Sequence, residues 1–284
     1  MKGIILAGGA GSRLYPLTQA VSKQLHAVFD KPMVYYPLTT LIECGIREIC
    51  LISTRRDLPA YRELLGTGGQ FGISLQYVEQ PRPGGLPEAF ILAESFIARS
   101  SVTLILGDNI FADSSLFARA VSNFRSGATI FAQYSQDPDR YGVVELDESG
   151  APLSLEEKPT RPRSNYVVPG LYLYDGTVSD AARKLRRSER GELEISDLNA
   201  QYLSEGKLKV QVLPPGFFWI DAGTALDLHR AAAYVETRQA TGGKLGCPEE
   251  AALRKGLISN AELRGIVGKM PKCEYRAYLE RLLE

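Results

Sequence analysis

Short apolar runs alternate with stretches of helical spacing, and the alternation begins at the first residues. Ile4-Ile5-Leu6-Ala7 is an unbroken apolar run, the pattern of a strand buried on both faces, and it stops at Gly8, Gly9 and Gly11. Apolar positions at Met33, Tyr35, Leu38, Leu41 and Ile42 predict a helix that opens at Lys31-Pro32-Met33 and closes at Gly45 in a left-handed cap. A second strand at 46–53, a polar helix at 58–65, a glycine break at Gly66, Gly68 and Gly69 and a third strand at 74–78 come next. A helix at 87–98 then leads to a fourth strand at 102–106. Strands and helices in turn at this spacing predict a parallel sheet wound on both sides by helices.

Beyond residue 110 the pattern changes. Strands are predicted at 129–133, 142–146, 166–174, 208–213 and 217–220, with another starting near Leu153, and helices at 178–185 and 195–203. With no linker between the halves, this region is expected to extend the first sheet and form a lid. Past Gly223 the spacing predicts helices, including 225–239, 248–255 and 275–283. The expected fold class is therefore α/β, with a Rossmann-like, mixed but mostly parallel central sheet flanked by helices, an inserted β region and a C-terminal helical tail. The expected domain boundaries are a core at 1–223, divided at about residue 110, and a helical extension at 224–284.

Composition narrows the partners. Thirty-three basic and 33 acidic residues cancel in 284, so no global field points to nucleic acid or an anionic membrane. Cys44, Cys50, Cys247 and Cys273 form no C-x-x-C pair, and Cys44 and Cys50 sit in apolar surroundings, which predicts buried thiols in a reduced, cytoplasmic setting. No apolar run approaches the ~18 residues that span a bilayer. The opening strand also meets glycine too soon for a signal-peptide core, so a soluble protein is expected.

The glycine loop is the first candidate for chemistry. It lacks the Gly-Lys-Ser/Thr of a P-loop, and glycines at 8, 9 and 11 do not make G-x-G-x-x-G. A ligand-free strand-to-helix turn competes with a phosphate cradle, and the cations Arg13 and Lys23 favour the cradle for a triphosphate. Ligands in doubly wound sheets bind outside the carboxyl ends of strands. Three polar segments are predicted there: 8–13, 80–85, and Gly107-Asp108-Asn109. Asp108 is the first candidate ligand for a hard cation such as Mg²⁺, and Asp221, in Trp219-Ile220-Asp221-Ala222-Gly223-Thr224, is its candidate partner. Each acid has a structural alternative, a turn for Asp108 and the cap of a helix near Thr224 for Asp221. In Glu156-Glu157-Lys158-Pro159, Lys158 can act as a point charge for phosphate and Glu157 can accept from sugar hydroxyls, against the alternative of a solvated turn. Arg190-Gly191-Glu192-Leu193-Glu194 offers a second such cation, with acids at the head of the next helix. His26 and His229 have neither zinc nor triad spacing.

These residues carry a likeness. Over essentially its whole length the chain resembles the glucose-1-phosphate thymidylyltransferases of the sugar nucleotidyltransferase family. The matching stretches are Gly3-Ile4-Ile5-Leu6-Ala7-Gly8-Gly9 with Arg13-Leu14 and Pro16, Ser22-Lys23-Gln24, Asp30-Lys31-Pro32-Met33 and Gly107-Asp108-Asn109-Ile110-Phe111. Further on come Asp137-Pro138 with Arg140-Tyr141-Gly142-Val143-Val144-Glu145, Glu156-Glu157-Lys158-Pro159, Ser164-Asn165-Tyr166, Arg190-Gly191-Glu192-Leu193-Glu194-Ile195 and Cys247-Pro248-Glu249-Glu250.

The resemblance implies that the phosphate of α-D-glucose 1-phosphate attacks the α-phosphorus of dTTP in line, giving dTDP-glucose for deoxysugar biosynthesis and releasing pyrophosphate. Uridylyl transfer or relaxed specificity is the alternative, and a non-catalytic sensing subunit, which would be expected to lose Arg13, Lys23 or an acid, is a minor one. By the resemblance, Arg13, Lys23, Asp108 and Asp221 are catalytic, and Asp108 and Asp221 hold Mg²⁺. Leu6, Gly8, Gly9, Gly11, Ser12, Arg13, Gln24, Gln80, Gly85 and Asp108 bind nucleotide, with Gln80 and the Gly85 backbone on thymine. Asn109, Gly142, Glu157, Lys158, Tyr172 and Arg190 bind the sugar phosphate. The part at about 1–110 is then nucleotide-binding, that at 111–223 sugar-phosphate-binding, and 224–284 a subunit contact in a dimer of dimers. The chain departs from the family pattern at Ser12, at 25–27, at Gly84, where relatives carry an acid facing the ribose, at Ala112-Asp113-Ser114, which in relatives belongs to a second, feedback nucleotide site, and at Pro169.

Overall fold

The computed structural model describes residues 1–9 and 11–284. In chain order, β1 (Lys2–Leu6) is followed by short 3-10 turns and a small hairpin, β2 (Ala27–Val28) with β3 (Lys31–Pro32). Then come α1 (Tyr35–Glu43), β4 (Glu48–Ser53), α2 (Leu58–Leu65), β5 (Ser74–Glu79), α3 (Glu88–Leu92), α4 (Glu94–Ile97) and β6 (Val102–Leu106). The middle of the chain holds β7 (Asn109–Phe111), α5 (Ser115–Asn123), β8 (Ala128–Tyr134), β9 (Gly142–Leu146), β10 (Pro152–Glu157), β11 (Tyr166–Val167) and β12 (Leu171–Tyr174). It continues through α6 (Val178–Lys184), α7 (Ile195–Ser204), β13 (Leu208–Val212) and β14 (Trp219–Asp221). Helices α8 (Ala225–Ala240), α9 (Pro248–Arg254), α10 (Asn260–Gly268) and α11 (Glu274–Arg281) close it.

Ten strands make one sheet. Strands β5, β4, β1 and β6 lie side by side in parallel, β12 runs antiparallel between β6 and β8, and β13 pairs in parallel with β8. Six of these seven strands therefore point the same way, as expected of a mostly parallel core. β11 pairs with β8 and with β9, which carries β10, so the second half extends the first sheet. Strand order reverses at β1, which has β4 on one side and β6 on the other. The carboxyl ends of β1 and β6 consequently open a crevice, the place where such sheets bind ligands.

The unbroken apolar runs are explained by burial on both faces. Ile5, Ile49, Leu51 and Ile105 join one cluster with residues of α1, α2, α5, α9, α10 and α11, while Ile4, Leu6, Cys50, Ile52 and Leu104 join another with α3, α4, α6 and α7. Successive side chains of a strand alternate between faces, so each strand feeds both cores. Ala251, Leu263 and Leu279 of the tail lie in the first cluster, fully packed against the sheet side. A third cluster joins Ala231 and Val235 of α8 to Val28, Ile110 and Ala222. All four cysteines are free thiols, and burial pushes Cys44, Cys50 and Cys247 up to about 12. No helix among the described residues is long and apolar enough to cross a membrane.

Three elements differ from expectation. Lys31-Pro32 does not open a helix but forms β3, because the residue before proline is driven extended, and α1 starts at Tyr35. The helix expected at 87–98 breaks at Ala93, with φ −95° and ψ 16°, into α3 and α4. The strand expected at 166–174 is interrupted at Val168-Pro169-Gly170. Val167 faces Gln133 and Tyr172 faces Ile130, so five residues advance against three of the partner strand, and the slack turns the Gly170 N–H away from the ladder. Helices α5 and α10 and strand β7 are additional to the expected elements.

Candidate active site

Strand β7 leaves the turn after β6 and pairs antiparallel with β14, placing Asp221 opposite Asn109. The Ala222 N–H also donates to the Asp108 carbonyl at 3.0 Å. Two acids far apart in sequence thus stand beside each other at the carboxyl end of the central sheet. Asp108 is ion-paired with Lys23 and accepts from Asn109 Nδ2 at 2.9 Å. Burial works to raise its pKa, yet the Lys23 charge and these hydrogen bonds hold the carboxyl below its usual range. Asp221 meets the opposite balance. Its side chain is 16% exposed, accepts from Tyr141 Oη at 3.1 Å, and lies 3.9 Å from an Arg140 guanidinium that is committed to Asp227 at 3.0 Å. Burial and the negative charge of Asp108 push it up to about 6. Thr224 itself caps α8, its side chain accepting from the Asp227 N–H at 3.2 Å, which removes capping as the task of Asp221.

The glycine loop forms one side of this crevice. Leu6, Gly8, Gly9, Gly11, Lys23, Gln24, Leu86, Leu106 and Asp108 line a cavity of about 110 Å³. Gly9 and Gly11 adopt φ of 132° and 59°, open to glycine and strained for other residues. Gln24 is buried, its Oε1 accepting from Ser22 Oγ at 2.8 Å while Ser22 also bonds the Tyr61 hydroxyl at 2.9 Å. Arg13 is exposed and stands beside Gly223, where a β-carbon would lie 2.9 Å from the guanidinium. No carboxylate among the described residues pairs with it. Ala10, inside the predicted cradle, lies outside the described residues.

A second cavity of about 230 Å³ shares Asp108, Leu86 and Leu106 with the first and gathers Arg13, Gly85, Asn109, Gly142, Glu157, Lys158, Tyr172, Arg190 and Asp221. Asn109 is locked in place, its Oδ1 accepting from the Gly170 N–H at 3.0 Å and Trp219 Nε1 at 2.6 Å. Glu157 accepts from Ser196 Oγ at 2.7 Å, and Lys158 Nζ lies 3.6 Å from Glu157. Arg190 lies 2.8 Å from Glu194 and 3.6 Å from Glu157. Lys158 holds a φ of 43°, a conformation that costs a non-glycine residue energy and tends to mark functional positions.

Of the predicted residues, Gln80 faces a neighbouring cavity of about 290 Å³, which it shares with Gly9, Arg56 and Arg82. Ser12 is exposed in a 3-10 turn and lines none of these spaces. Gly85 has φ 92° and bridges Leu193, so the loop after β5 is tied to the Arg190–Glu194 segment. Arg140, Tyr141, Ser196, Asn199 and Trp219 also line the second cavity, and each reaches it through strand pairing or helix packing that no local pattern announces. The segment Ala112-Asp113-Ser114 lies elsewhere, in a cavity of about 480 Å³ with Tyr36, Thr39, Arg238, Lys244 and Glu250. That larger space contains none of the cradle or acid residues.

No group of three or more metal-binding side chains occurs among the described residues. The donors present nevertheless fit a hard divalent cation. Asp108, held by Lys23, and Asp221, pushed up by burial and by the charge of Asp108, line one cavity as hard oxygen donors, and substrate phosphates complete the shell of such ions.

A doubly wound sheet with a glycine cradle, an Arg13 unpaired among the described residues, a Lys23 held by one of two acids at its switch point, and a charged pocket built from an inserted sheet, defines an enzyme that transfers groups from nucleotides. The chain belongs to the nucleotidyl transferase family, whose model matches residues 2–238. It is 49% identical over 288 residues to the glucose-1-phosphate thymidylyltransferase of Neisseria meningitidis serogroup A, covering 100% of both chains. It is 48% identical over 287 residues to that of Mycobacterium tuberculosis, covering 100% of this chain and 99% of the relative. A crystal structure of a Bacillus anthracis protein assigned to the same activity, in complex with a sucrose, superposes with a TM-score of 0.79 at 40% identity, covering 87% of this chain and 98% of that one. A UDP-glucose pyrophosphorylase complexed with UDP-glucose shares the fold alone, with a TM-score of 0.74 at 17% identity over 84% of this chain and 98% of that one.

Proposed function

We propose that this chain converts dTTP and α-D-glucose 1-phosphate to dTDP-glucose and pyrophosphate by a single in-line displacement. The observation that carries the reading is the meeting of Asp108 and Asp221 at the β7–β14 pair, between the glycine cradle and the charged pocket. In this reading Gly8, Gly9 and Gly11 present backbone to the triphosphate, Gln24 and Leu6 shape its seat, and Ser12, outside the cavity, can reach only the outer phosphates. Gln80 and the Gly85 backbone face the base. Lys158 and Arg190 hold the sugar phosphate as point charge and fork, while Asn109, Gly142, Glu157 and Tyr172 take the hexose hydroxyls. The phosphate oxygen of the sugar forms the new bond to the α-phosphorus as the bond to pyrophosphate breaks. Lys23 stabilises charge on the reacting phosphate, and Arg13 stabilises the departing pyrophosphate. Asp108 and Asp221 would hold Mg²⁺, which supplies charge neutralisation at the phosphates. The barrier falls through positioning and fixed charge, with no covalent protein intermediate.

The free thiols and the absence of a membrane-crossing helix among the described residues support action in the cytoplasm. Residues 224–284 are proposed as the subunit contact of a dimer of dimers, for which light scattering is expected to give four chains per particle. Incubation with dTTP, glucose 1-phosphate and Mg²⁺ is expected to release pyrophosphate with formation of dTDP-glucose, and EDTA to stop it. Pyrophosphate release with UTP at an equal or higher kcat/KM would move the assignment to uridylyl transfer, and none with either nucleotide would reject it.

A further inference from the structure

Glu88 opens α3 beneath the Gly84-Gly85 turn and has no part in the reaction above. Its side chain is 13% exposed and lies between two partners: Gln80 Nε2 donates to one carboxylate oxygen at 3.2 Å, and Arg187 stands 3.3 Å from the other. Gly84 makes room for it, because a β-carbon there would lie 2.1 Å from both oxygens. Arg187 closes the arrangement by donating to the Gly84 carbonyl at 3.4 Å. Gln80 is 6% exposed and lies across the glycine loop, where a β-carbon on Gly8 would sit 2.1 Å from its Oε1. A continuous run of contacts therefore leads from Arg187 at the rim, through Glu88 and Gln80, to the cradle.

The chemistry of this run has one solution. An ionised carboxylate only accepts hydrogen bonds, so the edge of the Gln80 amide that faces Glu88 must be the NH₂ group, and its oxygen is turned towards Gly8. We infer that Glu88 is a positioning residue that fixes the Gln80 carboxamide with its oxygen presented to the base, so that the site selects bases carrying an imide N–H over cytosine. The inference rests on the thymidylyl-transfer reading and deepens it. Thymine and uracil offer a donor at N3, whereas cytosine offers a lone pair there. A fixed acceptor pairs with the first and opposes the second, while a carboxamide free to turn over serves both. Sites built around an oriented polar group discriminate in this way because the wrong ligand leaves that group unpaired.

Two substitutions test it by different routes. Glu88→Ala removes the carboxylate, and Gly84→Ala leaves it in the chain but displaces it from Gln80, at small structural cost because the clashing atoms end a flexible side chain. Binding of dTTP and dCTP to the full chain is measured by calorimetry with Mg²⁺ and no sugar phosphate, and kcat with glucose 1-phosphate. Both variants are expected to lower the preference for dTTP over dCTP by about tenfold or more, and Glu88→Ala to leave kcat with dTTP within about twofold. General loosening of the pocket would weaken both nucleotides alike, so an unchanged ratio in either variant overturns the inference, as does a wild-type chain that binds the two equally. A wild-type chain that prefers dTTP yet transfers nothing to glucose 1-phosphate, with the preference lost in both variants, upholds Glu88 and rejects the transferase reading instead.

Discussion

The two walls of the crevice meet at Asp108 and are built on opposite plans. The proposed nucleotide wall is made mostly of backbone, glycines after β1 and a turn after β5, with Lys23 held by Asp108 and, at the edge of the second cavity, an Arg13 that no acid of the described residues neutralises. The proposed sugar-phosphate wall is made of side chains already paired, Arg190 with Glu194 and Glu157, and Lys158 with Glu157. A polyanion entering the first wall finds Arg13 unpaired among the described residues, with Lys23 alone held by a carboxylate. A phosphate entering the second must displace a carboxylate from Arg190, so binding there is an exchange of partners whose net gain is small. The difference predicts that the triphosphate seats first and the sugar phosphate is drawn in against a completed partner.

The sharpest way to break this comparison is at Arg13. Arg13→Ala is expected to lower kcat by about a thousandfold with dTTP affinity changed only a few-fold, because its charge counts most as pyrophosphate leaves. Single-turnover rates set against equilibrium binding measure the split, and equal losses in both would reduce Arg13 to a binding residue.

Next in size is the electrostatic strain at Asp221. Its pKa, raised to about 6 in the folded chain, lies above its unfolded value, so the folded state binds the extra proton between about pH 4 and 6. Stability of the metal-free protein therefore falls as pH rises through that window and stays lower above it. Asp221→Asn is expected to stabilise the metal-free protein by about 3 kcal/mol at pH 7, roughly 5 °C in melting temperature. The gain should vanish below about pH 4, where Asp221 is protonated in both states. A melting temperature at pH 7 equal to that of the wild type would show that the ionised Asp221 carboxylate is not strained in the folded chain.

Smaller effects separate the walls. Arg190→Ala should raise KM for glucose 1-phosphate by about tenfold and leave KM for dTTP unmoved, as expected of a charged contact made to one substrate. Glu194→Gln should do the reverse on a lesser scale, lowering that KM by about threefold because Arg190 loses the nearer of its two competing carboxylates. Steady-state kinetics in both substrates distinguish these outcomes from a general loss of fold, which would move both KM values together.

Much of the nucleotide wall is legible in the sequence because its information is local. An unbroken apolar run, glycines and two cations lie within residues 4–23, and the parallel order of β1, β4, β5 and β6 follows from strands and helices in turn. The charged wall is legible in part, Glu157, Lys158 and Arg190 standing out as charge clusters that a solvated turn would explain equally well, whereas Arg140, Tyr141, Ser196 and Trp219 reach the cavity through pairings with partners distant in the chain. Strand β7 shows the reason plainly: three residues form a strand because β14 arrives beside them. Two helices carry signals that hydrophobic runs alone pass over. Ser259 and Glu262 make a capping box at the head of α10, and Leu116, Phe117, Ala120 and Val121 have helical spacing in α5. The expected helix start at Lys31 fails because the proline restricts its predecessor and Lys31 is buried against Asp30 at 2.5 Å.

Asp108 and Asp221 are proposed to act as one cation site between the two walls. Mn²⁺, standing in for Mg²⁺, can be titrated by electron paramagnetic resonance against the wild type, Asp108→Asn and Asp221→Asn, each saturated with dTTP and without sugar phosphate. Each substitution is expected to weaken Mn²⁺ binding by about tenfold or more, as loss of one of two carboxylate ligands should. An Asp221→Asn protein that binds Mn²⁺ as tightly as the wild type would contradict the account.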